Sequence, residues 1–341
     1  VMEWIRGEEL GRGSFCTVNL AAARRGDSVL PPLMAVKSCL ASQSAAAVRE
    51  RVILEELKCC PQIVRCLGDS FSYEKGERLY NILLEFVAGG SLADHLKIFR
   101  GYGLPEFDVR RYTKQLLKGI EHIHKSGYVH CDIKLQNILL SPDYGVKIAD
   151  FGLAKRAEGG DSAAAGTLMY MSPEIIASGE QSTASDIWAL GCVVSEMASG
   201  LPAWRCSESA ALIRKIGSGE DTPEIPLSVS EEGRDFMNKC FIKDPTARWT
   251  VEMLLDHPFV REVDEIRAVQ IATSFSPRCP FDFPEWTSPV NCSITSLPSP
   301  SDPQSTIEFG LDDISPWDRI QSLIGEQWPD WSDSSRWIAV R

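Results

Sequence analysis

The 341-residue chain lacks the marks of several protein classes, beginning with a basic excess: 35 Lys and Arg face 47 Asp and Glu, for a net charge of −12. Nothing in that balance favours neutralising the phosphates of DNA or RNA, so nucleic acid is not expected as a ligand. Long apolar runs are missing too. Even DIWALGCVVSEM (186–197) meets a charged residue well before the roughly 18 to 20 apolar residues that cross a bilayer, and no membrane insertion is expected. The opening VMEWIRGEEL has no basic segment followed by an apolar run, so no secretory signal is readable. Histidine is scarce, and His95, His122, His124 and His257 show no metal-ligand spacing; ordinary helix or surface positions are expected for them. Cysteine is not scarce, but its count of 11 is odd and no CxxC pair occurs, which favours neither a disulfide framework nor a zinc site. A reducing compartment, cytoplasm or nucleus, is expected.

What is present divides along the chain. Length alone predicts about two domains. From residue 1 to about 261, apolar runs alternate with turn signals, whereas residues 274–341 hold 9 of the 20 prolines, 13 serines and no lysine. Such an acidic, Pro-rich segment buries too little apolar surface to offset its ordering entropy, so 262–341 is expected to be a Ser/Pro/Trp-rich, mostly disordered regulatory tail. Five of the nine tryptophans, Trp286, Trp317, Trp328, Trp331 and Trp337, are apolar points within it. Ser276, Ser288, Ser299 and Ser315 each precede proline, the minimum seen by proline-directed kinases. Ser315 and Pro316 can start a short helix in which Trp317, Ile320 and Ile324 share a face and Gly325 is the stop. That face is expected to dock on the body or on a partner; transient order alone is an equally open reading.

Within the body, residues 3–86 read as short strands with one helical stretch, and beyond 90 helices dominate. LAAARR, LMAVKSCL and YNILLEF have strand patterns, and VRERVILEELKCC reads as an amphipathic helix ended by Pro61. Longer helical patterns at 106–126 and 185–199 are closed by Gly127 and Gly200. Leu10–Val18, LGRGSFCTV, is a glycine-rich turn in which Gly11 and Gly13 lack the Cβ atoms that keep backbone N–H groups from phosphate oxygens. Lys37 follows on a strand, 26 residues after Gly11. Glu50, 13 residues further, can face inward to orient a lysine ammonium or can lie on a solvated face like Glu55 and Glu56. HCDIKLQNILL (130–140) and IADFGLAK (148–155) are the specific stretches, with Asp150 18 positions after Asp132. Asp132 is a candidate to accept a hydroxyl proton and Lys134 to hold a transferring phosphoryl, while Asn137 and Asp150 carry oxygen ligands suited to Mg²⁺.

With the glycine loop, the strand lysine and SPE (172–174) in the same order, these motifs resemble the protein-kinase signature set over about residues 4–260. The resemblance implies an α+β, bilobal kinase fold, with a β-rich N-lobe (about 1–86) and a helical C-lobe (about 90–261), together a domain over 1–261. ATP and Mg²⁺ would be the cofactors. Leu10, Gly11, Gly13, Ser14, Val18, Ala35, Glu85, Val87 and Leu139 would line the nucleotide site, with Leu84 as gatekeeper and Glu85 to Val87 as hinge. Lys37 would hold the α- and β-phosphates and pair with Glu50. Glu174 would pair with Arg248. Leu54, Cys66, His130 and Phe151 match a stacked spine anchored by Asp186, and Trp188 and Trp249 would fill the core. The lysine in DIKLQN and Thr167 in GTLMYMSPE resemble serine/threonine kinases, with Thr167 bridging Asp132 and Lys134. GTLMYMSPE, DIWALGC and DPTARWT resemble plant mitogen-activated protein kinase kinase kinases of the MEKK-like class. The opening and the closing WIAVR are similar to small members tied to abscisic-acid and stress signalling. A MAP kinase kinase would be the protein substrate, phosphorylated on Ser or Thr of its activation loop, with an upstream kinase or phosphatase as a further partner. A soluble serine/threonine kinase outside that cascade and a scaffold with an idle site are the rival readings.

Three positions depart from the family pattern. Cys16 replaces the third glycine of the loop. Cys131 replaces the arginine that commonly clamps a phosphorylated activation-segment residue, so phosphorylation of Ser162 or Thr167 is expected to be less decisive. Leu168 replaces a frequent proline. Cys16 and Cys131 are either redox-sensitive or, as is commoner, small packed hydrophobes.

Overall fold

The computed structural model describes residues 4–261, apart from 14–15, 25–29, 100, 142–144, 159–164, 207 and 220. Strands β1 (Trp4–Arg12), β2 (Thr17–Ala23), β3 (Leu33–Leu40), β4 (Cys66–Glu74) and β5 (Glu77–Glu85) form an antiparallel sheet in the order β1-β2-β3-β5-β4. Its register sets Val18 opposite Lys37, Leu20 opposite Ala35, and Ala35 opposite Leu84. One guanidinium joins all five strands. Arg6 on β1 donates to Asn19, Ser38, Glu74 and Asn81 at 2.9–3.1 Å, using five hydrogen bonds in all.

The helix α1 (Ala45–Glu56) departs from the expected amphipathic pattern and bounds. Three alanines start it before Val48, and it stops at Glu56, four residues short of Cys60, where the Leu57 N–H bonds the Ile53 carbonyl. Its buried face carries Glu50 beside Ile53 and Leu54, while Val48 and Val52 are exposed. A carboxylate goes inside because β3 supplies its cation, and a periodicity of apolar residues cannot report that.

The helical part is built on α3 (Glu106–Lys125) and α5 (Thr183–Ser199). The α3 helix buries a stripe from Val109 through Leu116 and Ile120 to Ile123. Every residue of α5 from Ser185 to Met197 is buried, Asp186 and Glu196 included, which places this helix at the centre. Both end where expected, with Gly127 at φ 78° and Gly200 at φ 72° supplying the left-handed turn. Around them lie α2 (Leu92–Ile98), α4 (Pro173–Ser178), α6 (Ser209–Gly217), α7 (Glu231–Cys240), α8 (Val251–Leu255) and α9 (Pro258–Arg261). Trp188 is fully buried and meets Phe241 edge-on at 5.3 Å. Trp249, expected as core, is only partly buried: it packs at the core's margin under the Lys239 ammonium, 5.2 Å from the ring centroid. Among the described residues, no helix is long and apolar enough to cross a membrane. The expected tail helix and its Ser-Pro sites lie outside the described residues.

Candidate active site

The sheet brings Lys37 into a buried charge cluster. Its Nζ lies 2.6 Å from Glu50 Oε2 and 2.7 Å from Asp150 Oδ1, and the Phe151 N–H donates to the other Glu50 oxygen at 3.2 Å. Burial works to discharge the ammonium, but Glu50 and Asp150 outweigh it and hold the Lys37 pKa above its ordinary value. For Glu50, 2% exposed, burial wins over Lys37 and the pKa is raised. For Asp150, more open, Lys37 wins over burial and the pKa is lowered. The two acids therefore differ in role, one locked to the lysine and one left ionised toward the cleft.

The strand β6 (Tyr128–Val129) leads into the loop that carries Asp132, Lys134 and Asn137, and β7 (Ile138–Leu140) leaves it. Asp186, on α5, holds the loop's start: Oδ2 accepts from the His130 N–H and from His124 Nε2, each at 2.9 Å, and Oδ1 accepts from the Cys131 N–H at 3.0 Å. His124 sits in helix α3, as the helix alternative expected, but its ring is largely buried and partners Asp186. Cys131 sits at φ 68°, a left-handed conformation that this pair of bonds to consecutive N–H groups maintains. His130 accepts the Asp132 N–H at Nδ1 and faces the Ala149 carbonyl with Nε2 at 3.2 Å. Only the neutral ring protonated at Nε2 satisfies both contacts. Burial lowers its pKa against the pull of Asp186, Asp132 and Asp150, in keeping with that tautomer. The ring meets Phe151 edge-on at 4.8 Å, and Leu54 and Phe151 lie in one apolar core against which Cys66 packs.

Four donors fix the Asp132 carboxylate. Oδ1 accepts from the Thr167 N–H at 3.1 Å and the Thr167 hydroxyl at 2.8 Å; Oδ2 lies 3.1 Å from Asn137 Nδ2 and 2.6 Å from Lys134 Nζ. Lys134 also reaches Thr167 Oγ1 at 2.9 Å, so the expected bridge from Thr167 to both residues is formed. Asn137 spends its amide N–H groups on Asp132, at the side chain and the main-chain carbonyl, which leaves its carbonyl oxygen as a hard ligand. With Asp150 that makes one carboxylate and one amide oxygen. Such a sparse set fits a divalent cation whose shell is completed by phosphate oxygens and water, as magnesium's usually is. No group of three or more His, Cys, Asp or Glu that could hold a metal occurs among the described residues.

Leu10, Gly11 and Gly13 lie on and just after β1, and Val18 and Ala35 on β2 and β3. Glu85 ends β5; its N–H donates to the Arg65 carbonyl at 2.9 Å, and its carboxylate pairs with Lys147 at 2.8 Å. Val87 is buried in the connection to α2, and Leu139 on β7 bridges to Ser91. Ser14 and Ser162 lie outside the described residues. Burial pushes the Cys16 thiol up to about 11 and Cys131 up to about 12, which leaves little thiolate and favours the packing reading over redox sensitivity.

Sequence reasoning missed three contacts. Glu56 ties α1 to β6 and to the short strand Lys155–Arg156, accepting from the Tyr128 hydroxyl at 2.8 Å and Arg156 at 3.0 Å. Tyr170 donates to buried Glu196 at 2.7 Å. Gln181 donates to the carbonyls of Cys131 and Ala165. None has a motif, because each depends on which loop lies across which. The expected pair of Glu174 and Arg248 is present, doubly hydrogen-bonded at 2.7 and 3.0 Å.

Comparison with known proteins agrees with this geometry. The protein kinase domain family model matches residues 4–260. The chain is 44% identical to mitogen-activated protein kinase kinase kinase 20 of Arabidopsis thaliana over 358 aligned positions, which cover 100% of both chains. It is 38% identical over 276 positions to mitogen-activated protein kinase kinase kinase 17 of the same plant, covering 79% of this chain and 73% of the relative. Kinase kinase kinase 18 matches at 38% over 269 positions, covering 76% and 78%.

Proposed function

The chain belongs to the protein kinase family and, within it, to the plant mitogen-activated protein kinase kinase kinases, and from that premise we propose that it uses ATP with Mg²⁺ to phosphorylate Ser or Thr in the activation loop of a MAP kinase kinase. The observation that carries the proposal is the Asp132 carboxylate, held at both oxygens by Thr167, Asn137 and Lys134, together with the Lys37 ammonium held between Glu50 and Asp150. In this reading Asp132 orients the acceptor hydroxyl and takes its proton. Lys134 stands beside it to stabilise charge developing on the transferred group. Lys37, held by Glu50, would grip the nucleotide phosphates, and Leu10, Val18, Ala35 and Leu139 would enclose the base above the Glu85 to Val87 hinge. Asn137 and Asp150 would hold the cation, which supplies neutralisation of phosphate charge when bound. The abscisic-acid and stress setting rests on the likeness of the opening and tail to small plant members. An upstream kinase or phosphatase acting at Ser162 belongs to the same proposal, as does a cytoplasmic or nuclear location.

A purified-protein assay with ATP and Mg²⁺ against a panel of kinase-dead MAP kinase kinases tests the reading, with Asp132→Asn alongside. Phosphate on one panel member's activation loop, lost in the variant, is the expected result. Transfer to generic acceptors alone would move the enzyme out of the cascade, and transfer equal in the two proteins would refute the role of Asp132.

A further inference from the structure

Gln181 lies in the connection between α4 and α5, where little freedom remains. Gly179 closes α4 with a left-handed turn at φ 73°, and the Ser182 N–H bonds Ser185 Oγ as α5 begins. Ser185 in turn touches Glu174, which Arg248 holds in a buried ion pair. From this anchored loop the Gln181 amide nitrogen donates to the Ala165 carbonyl at 2.8 Å and to the Cys131 carbonyl at 3.3 Å. Both partners are acceptors, so the amide's orientation is set by the network and both its N–H groups are used.

These two carbonyls belong to the two segments that must meet for Asp132 to be oriented. Ala165 precedes Gly166, which stands at φ 127°, and a Cβ there would lie 2.6 Å from the Cys131 carbonyl oxygen. At Gly166 the activation segment therefore lies with its backbone directly on the catalytic loop. The next residue, Thr167, supplies both donors to Asp132 Oδ1. Cys131 contributes no cation to this seat: its thiol is buried, with Sγ 3.6 Å from the Val129 carbonyl. A phosphate brought to the segment would find no charge on Cys131 to bind, whereas Gln181 already joins the segments with neutral donors.

We propose that Gln181 is a positioning residue that seats the activation segment on the catalytic loop without phosphorylation, and thereby holds Thr167 against Asp132 for protein substrate. The proposal rests on the kinase reading above. Its test uses the full chain treated with phosphatase and verified by mass spectrometry to be unphosphorylated at Ser162 and Thr167. Kinetics toward a kinase-dead MAP kinase kinase are compared for wild type, Gln181→Met, which keeps the length without donors, and Gln181→Lys, which restores a donor.

The unphosphorylated wild type is expected to be active. Gln181→Met should lower kcat about tenfold, the scale of losing two neutral hydrogen bonds, with the KM for ATP nearly unchanged and the melting temperature lowered by only a few degrees, and Gln181→Lys should recover much of the loss. Amide hydrogen exchange at Thr167, fast in Gln181→Met and slow in Gln181→Lys, gives a readout that does not depend on turnover. A Gln181→Met enzyme with wild-type kcat and wild-type exchange overturns the proposal, as does a wild type active only when phosphorylated. If Gln181→Met loses its fold, the exchange and activity of Gln181→Lys decide: a folded Gln181→Lys with an unprotected Thr167 overturns it. Failure of the wild type to show any Asp132-dependent transfer, phosphorylated or not, would sink the kinase reading and the inference with it.

Discussion

Removing the Lys37 ammonium would leave the Glu50 carboxylate, 2% exposed, without its 2.6 Å partner and with only the Phe151 N–H for support. Breaking one side of a buried pair costs about 3–5 kcal/mol, because the remaining charge stays in a poor solvent. Burial already raises the Glu50 pKa, and without Lys37 it rises further, so Lys37→Met should relieve its penalty by protonation. An acid with a raised folded pKa binds more protons when folded, so stability falls as pH climbs from the unfolded value near 4.3. The melting temperature of Lys37→Met should therefore lie further below wild type at pH 8 than at pH 6, and Gln in place of Glu50 should erase the difference. His130 gives the opposite slope. Its folded pKa is lowered by burial, so the unfolded chain binds the extra proton and stability is lost as pH falls below about 6.5, at up to about 1.4 kcal/mol per pH unit. His130→Phe keeps a ring against Phe151 but cannot titrate. Thermal scans from pH 7 to 5 should show a shallower fall for it than for wild type, even though it melts lower at pH 7.

At the scale of elements, the connection from β5 to α2 is pinned to β7 by a reciprocal pair: the Gly89 N–H bonds the Leu140 carbonyl at 3.0 Å, and the Leu140 N–H bonds the Gly90 carbonyl at 2.9 Å. A Cβ on Gly89 would overlap the Leu140 backbone, and neither strand nor connection can retreat without losing both bonds. Gly90 differs. It stands at φ 68° with open space around its would-be Cβ, so alanine there costs only the left-handed strain of about 1–2 kcal/mol. Gly89→Ala should thus lower the melting temperature more than Gly90→Ala and raise the KM for ATP, because the displaced connection carries Val87; equal effects would show that backbone strain governs both. This pinning also marks where sequence was legible and where it was not. The helices over 106–126 and 185–199 and their glycine stops could be read because period and stop are local. The polarity of α1 could not be read from its own pattern, which left Glu50 inward or solvated; the kinase resemblance implied its pairing with Lys37, 13 residues away on another element, and that pair is formed. Asp132, Asn137 and Asp150 were legible within short motifs and Lys37 through the kinase resemblance those motifs carry, whereas His124 and Gln181 gain their roles only when α3 and the α4–α5 connection reach the catalytic loop.

At the scale of the folded body, the sheet with α1 and the helical part share one apolar core that includes Leu54 and Phe151, and polar ties cross the same junction: Lys37 to Asp150, Glu50 to the Phe151 N–H, Glu56 to Tyr128 and Arg156, and Glu85 to Lys147. Half-exposed Asp150 makes one of these ties weakly, since its charge is shared between Lys37 and the open cleft. A ligand that engages both sides of this junction stabilises only the assembled state. At a free concentration of about 100 times its Kd it adds about 2.7 kcal/mol, or about 5–10 °C in melting temperature for a body of this size. ATP with Mg²⁺ should produce a shift on that scale. ATP with a chelator should produce much less, because Asn137 and Asp150 would then face phosphate oxygens with no cation between like charges. Asp150→Asn keeps an acceptor for Lys37 but removes the anionic ligand, so its ATP shift should be nearly the same with Mg²⁺ as with chelator. A full Mg²⁺-dependent shift in that variant would place the cation on other ligands and remove Asp150 from the nucleotide site.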